Sequence, residues 1–383
     1  MDRQPLRTLR RLPALLFAGV AACVVPAGPS GAQSPAGDVG AVTPPLTAAA
    51  PYVYACVQDE ARIDVIDMAS LEVVASVDLT ELGFTATANP HHVAVEPDGS
   101  HWYVSLIGEN VVARFDRENR LLGTFEMSTP GMLAHDGARG LLLVSRSMSA
   151  VNPPTRIGVI ETPGMEGDEL DVFLSRPHPV AISPDGRWGY TGSLGVNQLA
   201  AIDLETEEVS LVQVEGPPHA LVQFAVSPDG RWLVAGTEVS GRLVVFDRSD
   251  AAAPRQVASV ELGPMVFDPV FSPDGASVWV PVKGANEIAI VDVDGWTVRT
   301  RVRAESLRQP HQIVFSADGS RAFVSNNNKA DHMAGMAGHE GHEMPGAQAG
   351  LGNVTVLDAR THEVVEVLEL GRNVTGMGSA GAG

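Results

Sequence analysis

Apolar and polar residues alternate in short runs along most of this chain, the period of a strand that buries one face. Seven such runs, at residues 63–67, 111–116, 157–161, 199–203, 243–247, 288–292 and 354–358, end in an acid (Asp67, Asp116, Glu161, Asp203, Asp247, Asp292 and Asp358). Successive acids are 49, 45, 42, 44, 45 and 66 residues apart. A repeat near 44 residues is the length of four short strands and their turns, the unit of a propeller blade.

A second count uses the turns. Pro presets φ and Gly tolerates the left-handed corner in Glu96-Pro97-Asp98-Gly99, Ser183-Pro184-Asp185-Gly186, Ser227-Pro228-Asp229-Gly230 and Ser272-Pro273-Asp274-Gly275. Asp136-Gly137 and Ser316-Ala317-Asp318-Gly319 give two more. Six turns against seven acid-ended strands is what a ring closed by its own termini requires. The chain opens at Tyr52 on the second strand of blade one, and the tail near Arg372 to Met377 supplies that blade's inner strand. The predicted fold is therefore all-β: a seven-bladed β-propeller at 51–378, closed by pairing of the N- and C-terminal strands, with a tail at 379–383.

Val93-Ala94-Val95, Tyr103-Val104-Ser105 and Val65-Ile66-Asp67, with the Ser-Pro-Asp-Gly turns, resemble the YVTN/YncE-type propeller repeat. The resemblance covers nearly everything from Tyr52 to Met377. It implies the fold and leaves function open, because one fold hosts many activities. Blade three departs most, since the run from Met132 to Gly137 lacks the Pro.

Function is sought at the loops that enter the inner strands, which open on one face of the disc, here the top. His91, His178 and His311 each stand seven residues before a turn Asp, in three different blades. His92 follows His91, Asp268 matches it in register, and His219, ten residues before Asp229, is expected slightly higher on the rim. Inner strands converge on the axis, so equivalent positions form a ring. Imidazole nitrogens with a carboxylate are ligands for zinc, copper, iron or nickel. Set against this, a lone histidine more often caps a loop by hydrogen bonding. His101, His135 and His362 read as surface residues, and Met132, Met265 and Met377 as core filling.

Blade seven carries about 22 extra residues, placed at about 327–350 between its second and third strands and so on the top face. The stretch contains His332, Met333, Met336, His339, His342 and Met344 among Gly, Ala and acids, a composition unable to pack a core. Thioether sulfur favours Cu(I) and imidazole serves either copper state, so copper is the expected metal, with zinc as alternative. The segment is similar to the Met/His-rich stretches of periplasmic copper-handling proteins.

Charge and address complete the picture. Formal net charge is −20 over 383 residues, which repels nucleic acid and attracts cations. Residues 1–32 read as a removed export signal, with Arg3, Arg7, Arg10 and Arg11 ahead of an apolar run too short to span a membrane. Ordinary cleavage after Ala32 competes with lipoprotein processing before Cys23, which would anchor the chain by lipid; residues 33–50 are a flexible leader. The expected location is the periplasm or cell surface. Cys56 is left as a lone strand residue. No haem attachment motif, phosphate loop or nucleophile elbow is present, so no nucleotide or haem is expected. The leading expectation is an exported copper-binding propeller, with another periplasmic protein as a candidate partner. The alternatives are a copper-dependent oxidoreductase, since the propeller of nitrous oxide reductase also gathers histidines about its axis, and a metal-free interaction scaffold.

Overall fold

The computed structural model describes residues 52–146, 152–329 and 350–380. The export signal, the leader and the segment from His332 to Met344 lie outside them. Seven antiparallel sheets of four strands each form the ring of blades, so the count from the sequence holds. Blade one is completed by the inner strand Val374–Ser379, which pairs with Tyr52–Val57 through Val53 with Ser379, Ala55 with Met377 and Val57 with Val374. This seam leaves blade one no shorter than the others and removes the open edge that would otherwise invite wrong pairing. Among the described residues no helix is long and apolar enough to cross a membrane.

Alternation places one set of side chains between neighbouring blades. Between blades one and two, Tyr54, Cys56, Ile63 and Val65 pack on Trp102, Val104 and Phe115. Trp102 stacks on Phe115 at 4.1 Å and on Tyr54 at 4.9 Å between ring centres. The buried Cys56 thiol is free, and burial pushes its pKa far above the usual range. Met132 and Met377 fill interblade core as expected, whereas Met265 is half-buried with φ 58° in the loop that enters blade six and is not part of the core.

The turn of blade three corrects the sequence reading. Asp136 ends the inner strand Pro130–Asp136 and stands where the other blades carry Ser or Glu96. The left-handed corner is Gly140 (φ 64°), matching Gly99, Gly186 and Gly230 elsewhere, while Gly137 needs no such φ. A shortened motif without Pro had hidden a turn displaced by a few residues.

Two features of the inner strands position the site. Registers slip at their entrances, between Pro90 and Val93, Pro130 and Leu133, Pro177 and Val180, Leu221 and Gln223, and Pro310 and Ile313. Such bulges set two residues against one, so consecutive side chains at the entrance need not alternate. In several blades the chain entering the inner strand also bonds the loop between strands two and three: Leu194 N donates to Arg176 O, Glu238 N to Ala220 O and Asn327 N to Gln309 O. Both loop sets therefore share the top face, as predicted.

Candidate functional site at the top of the axis

Counting from the strand entrances, equivalent positions in blades one to seven are held by Thr375, His91, Gly131, His178, Val222, Phe267 and His311. His91 and His178 belong to blades two and four, and the intervening Gly131 carries no side chain. Their rings meet edge to face with centres 6.2 Å apart. His311 packs on Phe267 at 5.1 Å, and its Nδ1 lies 3.7 Å from Oδ2 of Asp268. The charges that weigh on His311 come from Lys283, His91, His92 and His178, as expected of groups facing one another across a hub.

These side chains are buried, and several lack partners. Both ring nitrogens of His91, Nδ1 of His311 and both oxygens of Asp268 make no hydrogen bond. Each such atom costs about 1–3 kcal/mol if nothing satisfies it. His178 is tied down: Nδ1–H donates to the Val222 carbonyl at 2.5 Å, which leaves Nε2 with the lone pair. Burial pushes the His91 imidazole down to about 3 and His178 to about 4, and holds His311 well below its usual value. All three are neutral near pH 7, the form that coordinates metal. Burial raises Asp268 to about 7 against the opposing pull of Lys283, whose own ammonium burial lowers to about 8. Lys283 also stands over the Phe267 ring at 4.4 Å.

Two predicted ligands behave differently. His219 is fully buried, two residues outside the strand Leu221–Val226, and Val222 takes the hub position of its blade. Its Nε2–H donates to the Glu215 carbonyl at 2.9 Å, so Nδ1 accepts from the Ser240 hydroxyl at 2.7 Å. No lone pair is left over, and His219 is a loop-capping residue. His92 faces the Leu133 amide at Nδ1 (3.3 Å) and the Gln312 carboxamide nitrogen at Nε2 (3.2 Å); its neutral ring accepts at one of these and carries its proton on the other, so no lone pair is free. The Gln312 oxygen is itself taken by the Met377 N–H at 2.6 Å. His91, His178, His311 and Asp268 are thus the predicted residues with donor atoms to spare.

No protein-family model and no curated protein matches the chain. Its likeness is to solved structures. A hydrazine synthase of Kuenenia stuttgartiensis shares 19% identity at a TM-score of 0.61, with 77% of this chain and 91% of that one covered. The periplasmic gluconolactonase of Pseudomonas aeruginosa shares 18% at 0.64, over 88% and 100%. The dihydro-heme d1 dehydrogenase NirN, in complex with DHE, shares 14% at 0.58, over 86% and 75%. At such identities the likeness establishes the propeller fold, and the differing titles show how little that fold says about chemistry.

Coordination geometry tests the donors. Donor atoms on one tetrahedral ion, each about 2.0–2.1 Å from it, stand ~3.3 Å apart, and two such imidazoles have ring centres ~5 Å apart. His311 with Asp268, and His91 with His178, each exceed those spacings modestly. Among the described residues no three His, Cys, Asp or Glu side chains are close enough to hold one ion as they stand. The described ends of the insertion leave from this same face: Lys329 N donates to Gln309 Oε1, and Asn328 Nδ2 to the Leu351 carbonyl.

Sequence reasoning missed Lys283 and Phe267, which share the hub, and misjudged His135. The latter stacks on Tyr103 at 5.2 Å, and both its nitrogens are buried without partners. Aligning the second-to-third-strand loops across blades would have put Lys283 on the top face. Nothing in the local sequence distinguishes His135 from a surface residue.

Proposed function

We propose that the chain is an exported metal-binding propeller whose top-face hub takes one ion, with copper favoured. His91, His178 and His311 supply imidazole nitrogen and Asp268 carboxylate oxygen. The observation that carries this reading is the set of buried, unpartnered donor atoms on three of these four residues, with a neutral imidazole lone pair on the fourth. A bound cation would satisfy them together, and a net charge of −20 draws cations to the surface. Within each pair, His91 with His178 and His311 with Asp268, reaching coordination spacing needs side-chain shifts on the order of 1 Å, within ordinary rotamer adjustment. Copper over zinc rests on the Met- and His-rich composition of residues 331–346, and export on the basic and apolar pattern of residues 1–32. Likeness to the YVTN/YncE repeat is compatible with this reading and does not decide it.

The test is elemental analysis of the purified mature chain after reconstitution with Cu(I), Cu(II) or Zn(II) and dialysis. About one tightly held equivalent of copper is expected, lost when His91, His178 and His311 are all replaced by Gln. Copper and zinc both below about one tenth of an equivalent would overturn the proposal and leave the metal-free scaffold.

A further inference from the structure

Beneath the hub the propeller axis holds a cavity of about 540 Å³, within the range of small-molecule sites. Its upper end carries His92, Gln223, Asp268 and Gln312, the layer just below the hub residues. Its wall is apolar and drawn from the inner strands, Val180, Phe224, Phe271 and Ile313 among them. Its lower end reaches His135, Asp136 and the prolines of the bottom-face turns.

Charge decides what could fill it. Two carboxylates line the cavity, Asp268 above and Asp136 below, and no Lys or Arg does. Asp268 is 3% exposed with both oxygens unpartnered, and Asp136 is 8% exposed with Oδ2 unpartnered. Asp136 Oδ1 is used by the Ala138 N–H at 3.0 Å. Lys283, the cation acting on Asp268, lies over Phe267 and is not part of the lining. An anion would meet two carboxylates and no counter-charge. A bare metal ion would leave most of the apolar wall in contact with water. Phe224 and Phe271 add to the apolar wall that the body of an organic ligand would cover.

We propose that the axial cavity binds a small organic cation with an apolar body, an alkyl- or arylammonium ion, admitted from the bottom face with its ammonium directed to Asp268. The body covers the aliphatic and aromatic wall, and the N–H groups give the Asp268 oxygens the donors they lack. The site goes beyond the metal reading and occupies a different volume, with Asp268 at the boundary of the two.

Calorimetric and thermal-shift titrations at pH 8 with hexylammonium and benzylammonium chloride test this on the metal-free full chain, with 1-hexanol and hexanoate as controls. Saturable binding of the ammonium ions, at least about tenfold tighter than either control, is expected. Asp268→Asn should weaken it by about tenfold or more, and Ala225→Leu, which fills the cavity from blade five, should abolish it. If Ala225→Leu does not fold by circular dichroism, the Asp268→Asn comparison decides alone. The chain with His91 and His178 changed to Gln, neither of which touches Asp268, should bind the ammonium ions as wild type does, which separates this site from the metal site; His311 is left in place because its Nδ1 lies 3.7 Å from Asp268. Absence of saturable binding, equal binding of hexanol or hexanoate, full binding by folded Ala225→Leu or loss of binding in the histidine variant would each overturn the proposal.

Discussion

His91 and His219 are both buried at the top of this propeller, in blades two and five, yet they are chemical opposites. Every hydrogen-bonding atom of the His219 ring is matched, by Ser240 and by the Glu215 carbonyl. Neither nitrogen of His91 has a partner. Burial alone therefore does not mark a functional histidine. What separates the two is satisfaction: the desolvation of the His219 ring is offset within the fold, while that of the His91 ring is not. The same division runs through the acids of blade six. Glu287 is buried and ion-paired with Arg301 through Oε1 and with Arg303 through Oε2, the latter without a hydrogen bond, whereas Asp268, equally buried, has no hydrogen bond at either oxygen and no arginine beside it, only the neutral His311 at 3.7 Å.

The largest expected effect uses acid to expose the hub. Four histidines there, His91, His92, His178 and His311, have native pKa values held below the unfolded 6.5 by burial. A depressed value means that the unfolded chain takes up protons first. The stability they contribute is present above pH 6.5 and is lost as pH falls toward 4, by up to ~1.4 kcal/mol per pH unit for each histidine. Asp268 works against them, since its raised value favours the native state at low pH, but it is one group against four. Denaturant melts of metal-free protein should therefore show steep destabilisation between pH 6.5 and 4.5. Replacing His91, His178 and His311 by Gln should remove most of that slope; an unchanged slope would mean that the hub imidazoles are not held neutral.

Next in size is copper affinity. The triple Gln variant should bind copper at least about 100-fold more weakly than wild type while melting at the same temperature or higher at pH 8. His219→Ala should do the reverse. Loss of its two ring hydrogen bonds and its buried volume should cost roughly 2–3 kcal/mol, read as a lower denaturation midpoint, with copper affinity within about twofold of wild type. If His219→Ala lost copper and kept its stability, the division between satisfied and unsatisfied histidines would fail.

The sequence exposed the ring more fully than it exposed this division. Seven acid-ended strands and their spacing sufficed for the blade count, because a propeller repeats one path and the path leaves a periodic trace. His91, His178 and His311 were found by their common distance from a turn, which is a register and so is readable. His219 was misassigned because its blade inserts three residues between turn and histidine, enough to move it out of the hub into a loop where Asn197 and Ser240 hold it. The entrance bulges, which set His91 and His92 beside each other, leave no mark in a pattern of alternating residues. Whether a nitrogen is partnered depends on atoms contributed by other blades, as with His92 and Gln312, 220 residues apart in the chain.

The smallest effect expected is the sharpest in sign, and it comes from the two buried acids. Asp268→Asn removes a carboxylate that burial has pushed up to about 7, so at pH 8 the native state pays to keep it ionised. The variant should gain about 1–2 kcal/mol at pH 8, part of the relief being offset because the new carboxamide is also without partners. As pH falls from 7 toward 4 the native Asp268 takes up its proton and the advantage of Asn should fade. Glu287→Gln should destabilise at pH 8, because Arg301 and Arg303 would lose the charge they share. Equilibrium urea melts of both variants at pH 8 and pH 5 measure the two signs directly. Destabilisation by Asp268→Asn at pH 8 would show that Lys283 satisfies this carboxylate as the arginines satisfy Glu287, and the hub would lose its claim to be a site waiting for a ligand.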